Sequence, residues 1–187
     1  MRMNETEKEL VEMVLAGRAE AFEPLVTPYR GPLLALASRL TRDREEALEV
    51  VQETLLRAYR SLGRYDAARP FRNWLFQIAA NESRDRRRRK MRERAAFTEV
   101  AGRAPAAADP EAGQDRRELR EGIRRSMAAL SPREREVFVL RDLEDLDIRE
   151  TSRALGCSSL SVRVHLSAAR RKLRQAIRRD FPHLEVG

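Results

Sequence analysis

Two clusters of arginine and lysine are the residues of this sequence whose type and spacing best suit ligand binding. Residues 84–94 contain eight basic and two acidic side chains, and residues 163–179 contain seven basic and no acidic ones. Guanidinium groups in such numbers bind polyanions, because they form charge-assisted hydrogen bonds with phosphates. Two separate clusters therefore indicate two contacts with nucleic acid, although either one alone is also typical of a solvated helix face.

Residues for catalysis or metal binding are scarce. The chain has one cysteine, Cys157, and two histidines, His165 and His183. A single cysteine excludes a disulfide framework and a cysteine-ligated zinc finger. We find no Ser/His/Asp or Cys/His set and no phosphate-binding glycine loop, and acidic pairs such as Glu45/Glu46 are more typical of a solvated or interface helix face. The sequence predicts a binding protein that is not an enzyme and has no cofactor or metal.

Length and composition limit the class of protein. The 187 residues are 42% hydrophobic and 36% charged, with a net charge of +8 and an isoelectric point of about 10.6. This length suits two small domains, and the apolar fraction is sufficient for folded cores. We recognise neither a signal peptide nor an apolar stretch that would insert in a membrane, so we expect a cytoplasmic protein.

The first half of the chain is patterned as successive helices that would carry the first basic cluster. Asp43 precedes Glu46 by three residues, which predicts a capped helix from about Arg44 to Leu62. Gly63 ends it, a loop follows, and the next helix starts at Phe71 and continues into the arginine run. Prolines within the earlier helices predict kinks or a broken helix there; they are Pro24, Pro28 and Pro32.

Residues 96–115 differ in composition from the segments on either side. Alanine, glycine, proline and aspartate alternate there without a period, which is typical of a flexible linker. The sequence therefore predicts an all-α protein with two small helical domains, residues 1–95 and 116–187, joined by this linker.

The second domain ends in the pattern of a helix-turn-helix. A short helix over residues 148–155 is followed by Gly156 and by a longer basic helix from about Ser159. Helical periodicity directs Val162, Leu166, Ala169 and Leu173 to the core. The opposite side carries Leu160, Val164, Ser167 and Arg171, flanked by Arg163, Ser161 and Ala168. The apolar members of this outward face either meet thymine methyl groups or are covered by another protein.

Three segments together resemble a known family. They are DREEALEVVQETLLRAYRSL from residue 43, FRNWLFQIAANESRDRRRR from residue 71, and LSPREREVFVLRDLEDLDIRETSRALGCSSLSVRVHLSAARRKLR from residue 130. In order and spacing they are similar to the extracytoplasmic-function (ECF) group of the sigma-70 family of bacterial RNA polymerase sigma factors. The resemblance implies a region 2 helical bundle and a region 4 helix-turn-helix. It also implies a factor that directs core polymerase to promoters, initiates transcription and is restrained by an anti-sigma factor.

The resemblance also implies the partners and the residues that contact them. The core-binding surface, which would dock on the β′ clamp helices, comprises Glu46, Glu49, Gln52 and Glu53. The second polymerase contact would be with the β subunit. Binding and melting of the promoter −10 element would use Tyr65, Phe71, Asn81, Arg84, Arg86, Arg87 and Arg88. The −35 element would be read by Ser159, Leu160, Ser161, Arg163, Val164, Ser167, Arg170 and Arg171.

Two other kinds of binding protein remain as alternatives. A helix-turn-helix repressor or activator would bind DNA without acting as a polymerase subunit, but it would leave the match over residues 43–89 unexplained. A structural nucleoid or RNA-binding protein would use both basic clusters without sequence preference. Dependence of promoter binding on core polymerase distinguishes a sigma factor from both.

Overall fold

All regular secondary structure that the computed structural model describes, in residues 5–96 and 122–181, is helical. The chain divides into two compact units, Met1–Ala106 and Ala107–Gly187. The predicted all-α, two-domain architecture is therefore confirmed. Apart from Ala96, the predicted linker lies outside the described residues. None of the helices in the described ranges combines the length and apolarity that a membrane crossing requires.

In the described part of the first unit, four α-helices enclose one core. They are α1 (Glu5–Leu15), α2 (Phe22–Thr41), α3 (Arg44–Ser61) and α4 (Phe71–Ala96). Helices α2, α3 and α4 pack against one another, and α1 packs on α2. Removal of apolar side chains from water stabilises this arrangement. The core includes Leu25, Val26, Leu33, Leu36, Val50, Leu75 and Phe76.

The start of α3 follows the predicted capping pattern. Asp43 has an extended backbone, and its carboxylate accepts a hydrogen bond from the backbone N–H of Glu46 at 3.0 Å. This bond satisfies a donor that lacks a partner within the first turn of a helix. The helix ends at Ser61, and a 3-10 turn, Leu62–Arg64, leads into the loop before α4.

The prediction of a broken helix at the three prolines is wrong. Helix α2 continues through Pro28 and Pro32, while Pro24 lies in its first turn, where a missing N–H costs no hydrogen bond. The three prolines are four residues apart and all exposed. They therefore share the solvent side of α2, where water can bind the carbonyls that Pro28 and Pro32 leave without an N–H donor.

A buried carboxylate joins α3 to α4. Glu82 of α4 is only 2% exposed, and it forms ion pairs with Arg57 of α3 at 2.8 Å and with Arg86 of α4 at 3.3 Å. Arg57 also contacts Glu53 at 3.0 Å. Because a buried charge is stable only when it is paired, Glu82 requires both arginines nearby. This pairing constrains the position of α4 against α3.

The described part of the second unit contains four α-helices around a separate core. Residues 122–128 form α5, followed by α6 (Pro132–Phe138), α7 (Ile148–Leu155) and α8 (Ser159–Asp180). A π-helical turn, Val139–Leu143, extends α6. Both α6 and α7 pack on α8. The buried apolar side chains are Leu130, Val137, Leu140, Leu146, Leu155, Val162, Leu166, Ala169 and Leu173.

Capping residues set the boundaries of the predicted helix-turn-helix. Capping boxes begin α6 at Ser131 and α7 at Asp147, and Ser158 caps α8 through the N–H of Ser161 at 3.1 Å. Gly156 ends α7 with φ +59°, a left-handed conformation that glycine adopts at little cost. Only Cys157 and Ser158 separate this turn from α8, so the predicted helix-turn-helix is confirmed.

Glu82→Ala is expected to destabilise the first unit by about 2–3 kcal/mol, because two arginines would lose a buried partner while staying partly exposed. Urea unfolding followed by fluorescence measures this directly, since Trp74 is the single tryptophan and lies in α4. Glu53→Ala is the matched control, because it removes a more exposed partner of the same Arg57. It should cost at most about 0.5 kcal/mol, and equal effects of the two variants would contradict the role of Glu82.

Candidate polymerase and promoter interfaces

Three of the four predicted core-binding side chains are engaged within the first unit. Glu46 pairs with Lys90, Glu49 pairs with Arg86, and Glu53 pairs with Arg57. Gln52 is exposed. Glu46 and Glu49 therefore face α4 and neutralise part of the basic cluster, whereas Glu53 pairs with an arginine of its own helix.

The outward side of α3 carries apolar residues that the sequence analysis did not select. Leu48 is 45%, Leu56 50% and Tyr59 44% exposed, and the ring of Tyr59 contacts Phe22 edge-on at 5.1 Å. Leu48, Gln52 and Leu56 are four residues apart and so form one row along the helix. Exposed apolar rows of this kind are typical of protein-binding surfaces.

A helical wheel could have found this row, because its members fall outside the arc of the buried residues of α3. Val50 and Val51 occupy that arc, whereas Leu55 is only half-buried. The row was not predicted because only acidic and amide side chains of α3 were selected as polymerase contacts.

An aromatic cluster lies where α4 begins. The centroid of the Phe71 ring lies 5.2 Å from that of Tyr65, 5.5 Å from that of Trp74 and 5.7 Å from that of Tyr29. Phe71 is 1% exposed, so its predicted role in capturing a −10 base is wrong for this structure, in which the ring is part of the core. Trp74 is half-buried within the cluster.

Tyr65 is the member of the cluster that combines a loop position with partial exposure. Its hydroxyl donates a hydrogen bond to the carbonyl of Arg69, and burial raises the pKa of the phenol to about 12. The phenol is therefore neutral at physiological pH. Its ring is half-buried and contacts Trp74 at 5.1 Å. The hydrogen bond and the ring contact hold Tyr65 in one orientation at the edge of the cluster.

The polar residues predicted for the −10 element differ in their surroundings. Asn81 is half-buried and accepts a hydrogen bond from Arg84 at 3.0 Å. Arg87 is half-buried and Arg88 is exposed. Arg86 is 23% exposed and pairs with both Glu49 and Glu82, so its predicted DNA contact is corrected to an interhelical ion pair. Sequence separation explains this error, because Glu49 is 37 residues away.

The predicted faces of α8 are present. Val162, Leu166, Ala169 and Leu173 are buried against the rest of the second unit. On the other side Leu160 is 68% and Val164 58% exposed. Arg163, Ser167 and Arg171 are exposed as well, whereas Ser159 and Ser161 are half-buried in the first turn. An open groove along this helix is lined by Arg163, Arg170, Arg171 and Arg174.

Arg170 differs from the other arginines of this surface. Its guanidinium donates two hydrogen bonds to the carboxylate of Asp142, at 2.7 and 2.8 Å, and this interaction raises the pKa of Arg170. Bidentate pairing fixes the orientation of a guanidinium. In this structure Arg170 connects α8 to the turn that follows α6, and its side chain is still 51% exposed, so its contact with the −35 element stays a prediction.

Each of the two units matches the model of a known protein family. The family described as "Sigma-70 region 2" matches residues 25–93, and "Sigma-70, region 4" matches residues 120–173. The RNA polymerase sigma-H factor of Pseudomonas aeruginosa is 30% identical over 186 residues, covering 95% of this chain and 96% of the relative. The ECF RNA polymerase sigma factor SigW of Bacillus subtilis is 29% identical over 180 residues, covering 91% and 96%.

Solved structures have the same fold. CnrH in complex with the cytosolic domain of CnrY matches with a TM-score of 0.66 and 28% identity, over 94% of this chain and 99% of CnrH. The sigma factor RpoE of Bartonella quintana, solved with the anti-sigma factor NepR, matches with a TM-score of 0.70 over 84% of this chain and 96% of RpoE. Its identity is 22%, which supports the fold alone. The chain belongs to the extracytoplasmic-function group of the sigma-70 family, whose members are transcription initiation factors.

Proposed function

We propose that this protein binds core RNA polymerase, directs it to promoters and initiates transcription, without catalysing a reaction itself. The observation that carries the proposal is that both family regions occur in one chain, each with an exposed surface suited to its partner. Because polymerase and promoter DNA are its proposed partners, the protein would act in the cytoplasm.

The first unit would supply the main contact with polymerase. The row formed by Leu48, Gln52 and Leu56 is exposed on α3 and combines apolar area with an amide that can form hydrogen bonds. Such a row suits the β′ clamp helices, since apolar residues at the centre of an interface dominate its binding energy. Glu46 and Glu49, which pair with residues of α4, would hold α3 in place without contacting the polymerase themselves.

The same unit would bind the opened −10 element. Melting removes base stacking, so a sigma factor needs polar and aromatic groups that hold an extruded base beside a cationic track. Tyr65 and Asn81 are the half-buried groups proposed for the base, and Arg84, Arg87 and Arg88 are proposed for the strand. Arg86 and Phe71 are excluded, because each is engaged inside the unit.

The second unit would bind the −35 element as duplex DNA. Recognition helices of helix-turn-helix domains lie in the major groove, with their first turns at the base edges. In α8 these turns expose Leu160, Arg163 and Val164, with Ser167 and Arg171 following on the same side. An anti-sigma factor is the proposed regulator, as the family resemblance implies, and CnrH, which is 28% identical to this chain, was solved in complex with a protein partner, the cytosolic domain of CnrY.

Transcription with purified bacterial core polymerase tests the proposal. Transcripts that start at a defined site on fragments of the source genome should appear only when the protein is added. Binding to core polymerase without a transcript would mean that the fragments lack its promoter. Absence of both binding and transcripts would contradict the proposal and favour a polymerase-independent repressor or activator.

Leu48→Ser together with Leu56→Ser should weaken binding to core polymerase about tenfold or more, because two apolar side chains would no longer contribute to the interface. Fluorescence anisotropy of the labelled protein with core polymerase measures the change. The matched control is Ile123→Ser, which alters a side chain that is 53% exposed in the second unit. If the control weakens binding as much as the double variant, the assignment of α3 is wrong.

Asn81→Ala should impair promoter opening more than polymerase binding, because the amide is proposed to contact an extruded base rather than the clamp. Opening is measured by permanganate reactivity of the −10 thymines, and core binding by anisotropy. A promoter with a pre-melted −10 segment provides the control and should partly restore initiation by the variant. Equal losses of opening and core binding would contradict the role of Asn81.

A further inference from the structure

Two apolar side chains lie on the exposed face of α8, in its first two turns. Leu160 and Val164 are 68% and 58% exposed and lie one helical turn apart, so their side chains adjoin. They lie on the opposite side of the helix from Val162 and Ala169, which are fully buried. Neither residue therefore contributes to the core of the second unit.

The surroundings of this apolar pair are cationic. Arg163 and Arg171 are exposed beside it, and the adjoining groove is lined by four arginines. No aspartate or glutamate occurs between Ser159 and Arg179. A ligand for this surface must combine negative charge with a small apolar group. Duplex DNA has both, because each thymine presents a C5-methyl group in the major groove between the phosphate backbones.

We propose that Leu160 and Val164 recognise thymine methyl groups, so that the −35 element of this protein carries thymines at neighbouring positions facing the first turns of α8. The inference rests on the proposed binding of duplex DNA by the second unit. Arg163 and Arg171 would then hold phosphates or guanine edges on either side of the methyl groups. The pair specifies sequence, whereas the arginines supply most of the affinity.

The position of the pair favours DNA over a protein partner. Ser158 caps α8, so Leu160 and Val164 belong to its first two turns, the part of a recognition helix that reaches base edges. Binding of duplex DNA also requires cations beside the apolar pair that can contact the phosphate backbones. Here the exposed arginines Arg163 and Arg171 flank the apolar side chains.

Substitution of deoxyuridine for thymine tests the inference, because it removes the methyl group and leaves base pairing intact. The preferred duplex is first selected from random sequences with the full chain bound to core polymerase, and each thymine of the −35 element is then replaced in turn. At one or two positions affinity should fall about threefold to fivefold, the effect expected for one buried methyl group. Deoxyuridine at other positions should have no effect.

Variants connect the effect to the two side chains. Leu160→Ala and Val164→Ala should each weaken binding to the thymine duplex and abolish the response to deoxyuridine at one position. Ile123→Ala is the matched control, because it removes an exposed apolar side chain outside the helix-turn-helix and should preserve both responses.

Three results would overturn the inference. One is a selected −35 element without thymine, and the second is full tolerance of deoxyuridine at every position. The third is an unchanged deoxyuridine response in both alanine variants, which would indicate that Leu160 and Val164 contact a protein partner instead of DNA. Failure of the proposed function would give a different result. If the protein binds a duplex without core polymerase, loses affinity when thymine methyl groups are removed, and yields no transcript, it is not a sigma factor but the methyl contact stands.

Discussion

The ion pairs of Glu82 constrain how α4 lies against α3 in the first unit. A carboxylate that is 2% exposed must be neutralised by nearby charges, and Arg57 and Arg86 provide them from two different helices. The proposed polymerase surface is on α3, and the proposed DNA residues are on and just before α4. Since one buried charge joins these helices, the two surfaces keep a fixed geometry relative to each other.

In the second unit, the positions of the helices are fixed mainly by hydrogen bonds between residues close in sequence. Three side-chain caps and one left-handed glycine define where α6, α7 and α8 begin and end. Each cap satisfies backbone donors or acceptors that a helix end would otherwise expose. The orientation of α8, and therefore which of its side chains face outward, follows from short-range hydrogen bonds together with the packing of Leu166 and Leu173.

Short-range features were therefore the ones that the sequence could predict. The capped start of α3, the turn at Gly156 and the buried side of α8 depend on residues within a few positions of one another. Continuous helix through Pro28 and Pro32 was not predicted, because the loss of two hydrogen bonds is tolerable only when the affected carbonyls face water.

The contacts of the proposed site residues that the sequence did not predict have a different origin. Arg86 and Arg170 are engaged by acids that are 37 and 28 residues away in the sequence, and only the packing of helices brings them together. Phe71 is buried because aromatic residues from α2 and the preceding loop surround it. A run of arginines indicates a cationic surface, but the fold decides which members remain available to a ligand.

The pairing of Arg170 also changes the expected thermodynamics of DNA binding. Among the seven basic residues from Arg163 to Arg179, Arg170, Lys172 and Arg179 already contact carboxylates in the described part of the chain. Cations compensated in this way neutralise fewer phosphates, so binding displaces fewer counterions from the duplex. The affinity of the second unit for DNA should therefore vary less steeply with ionic strength than its arginine content suggests, and a larger share of its selectivity persists in physiological salt.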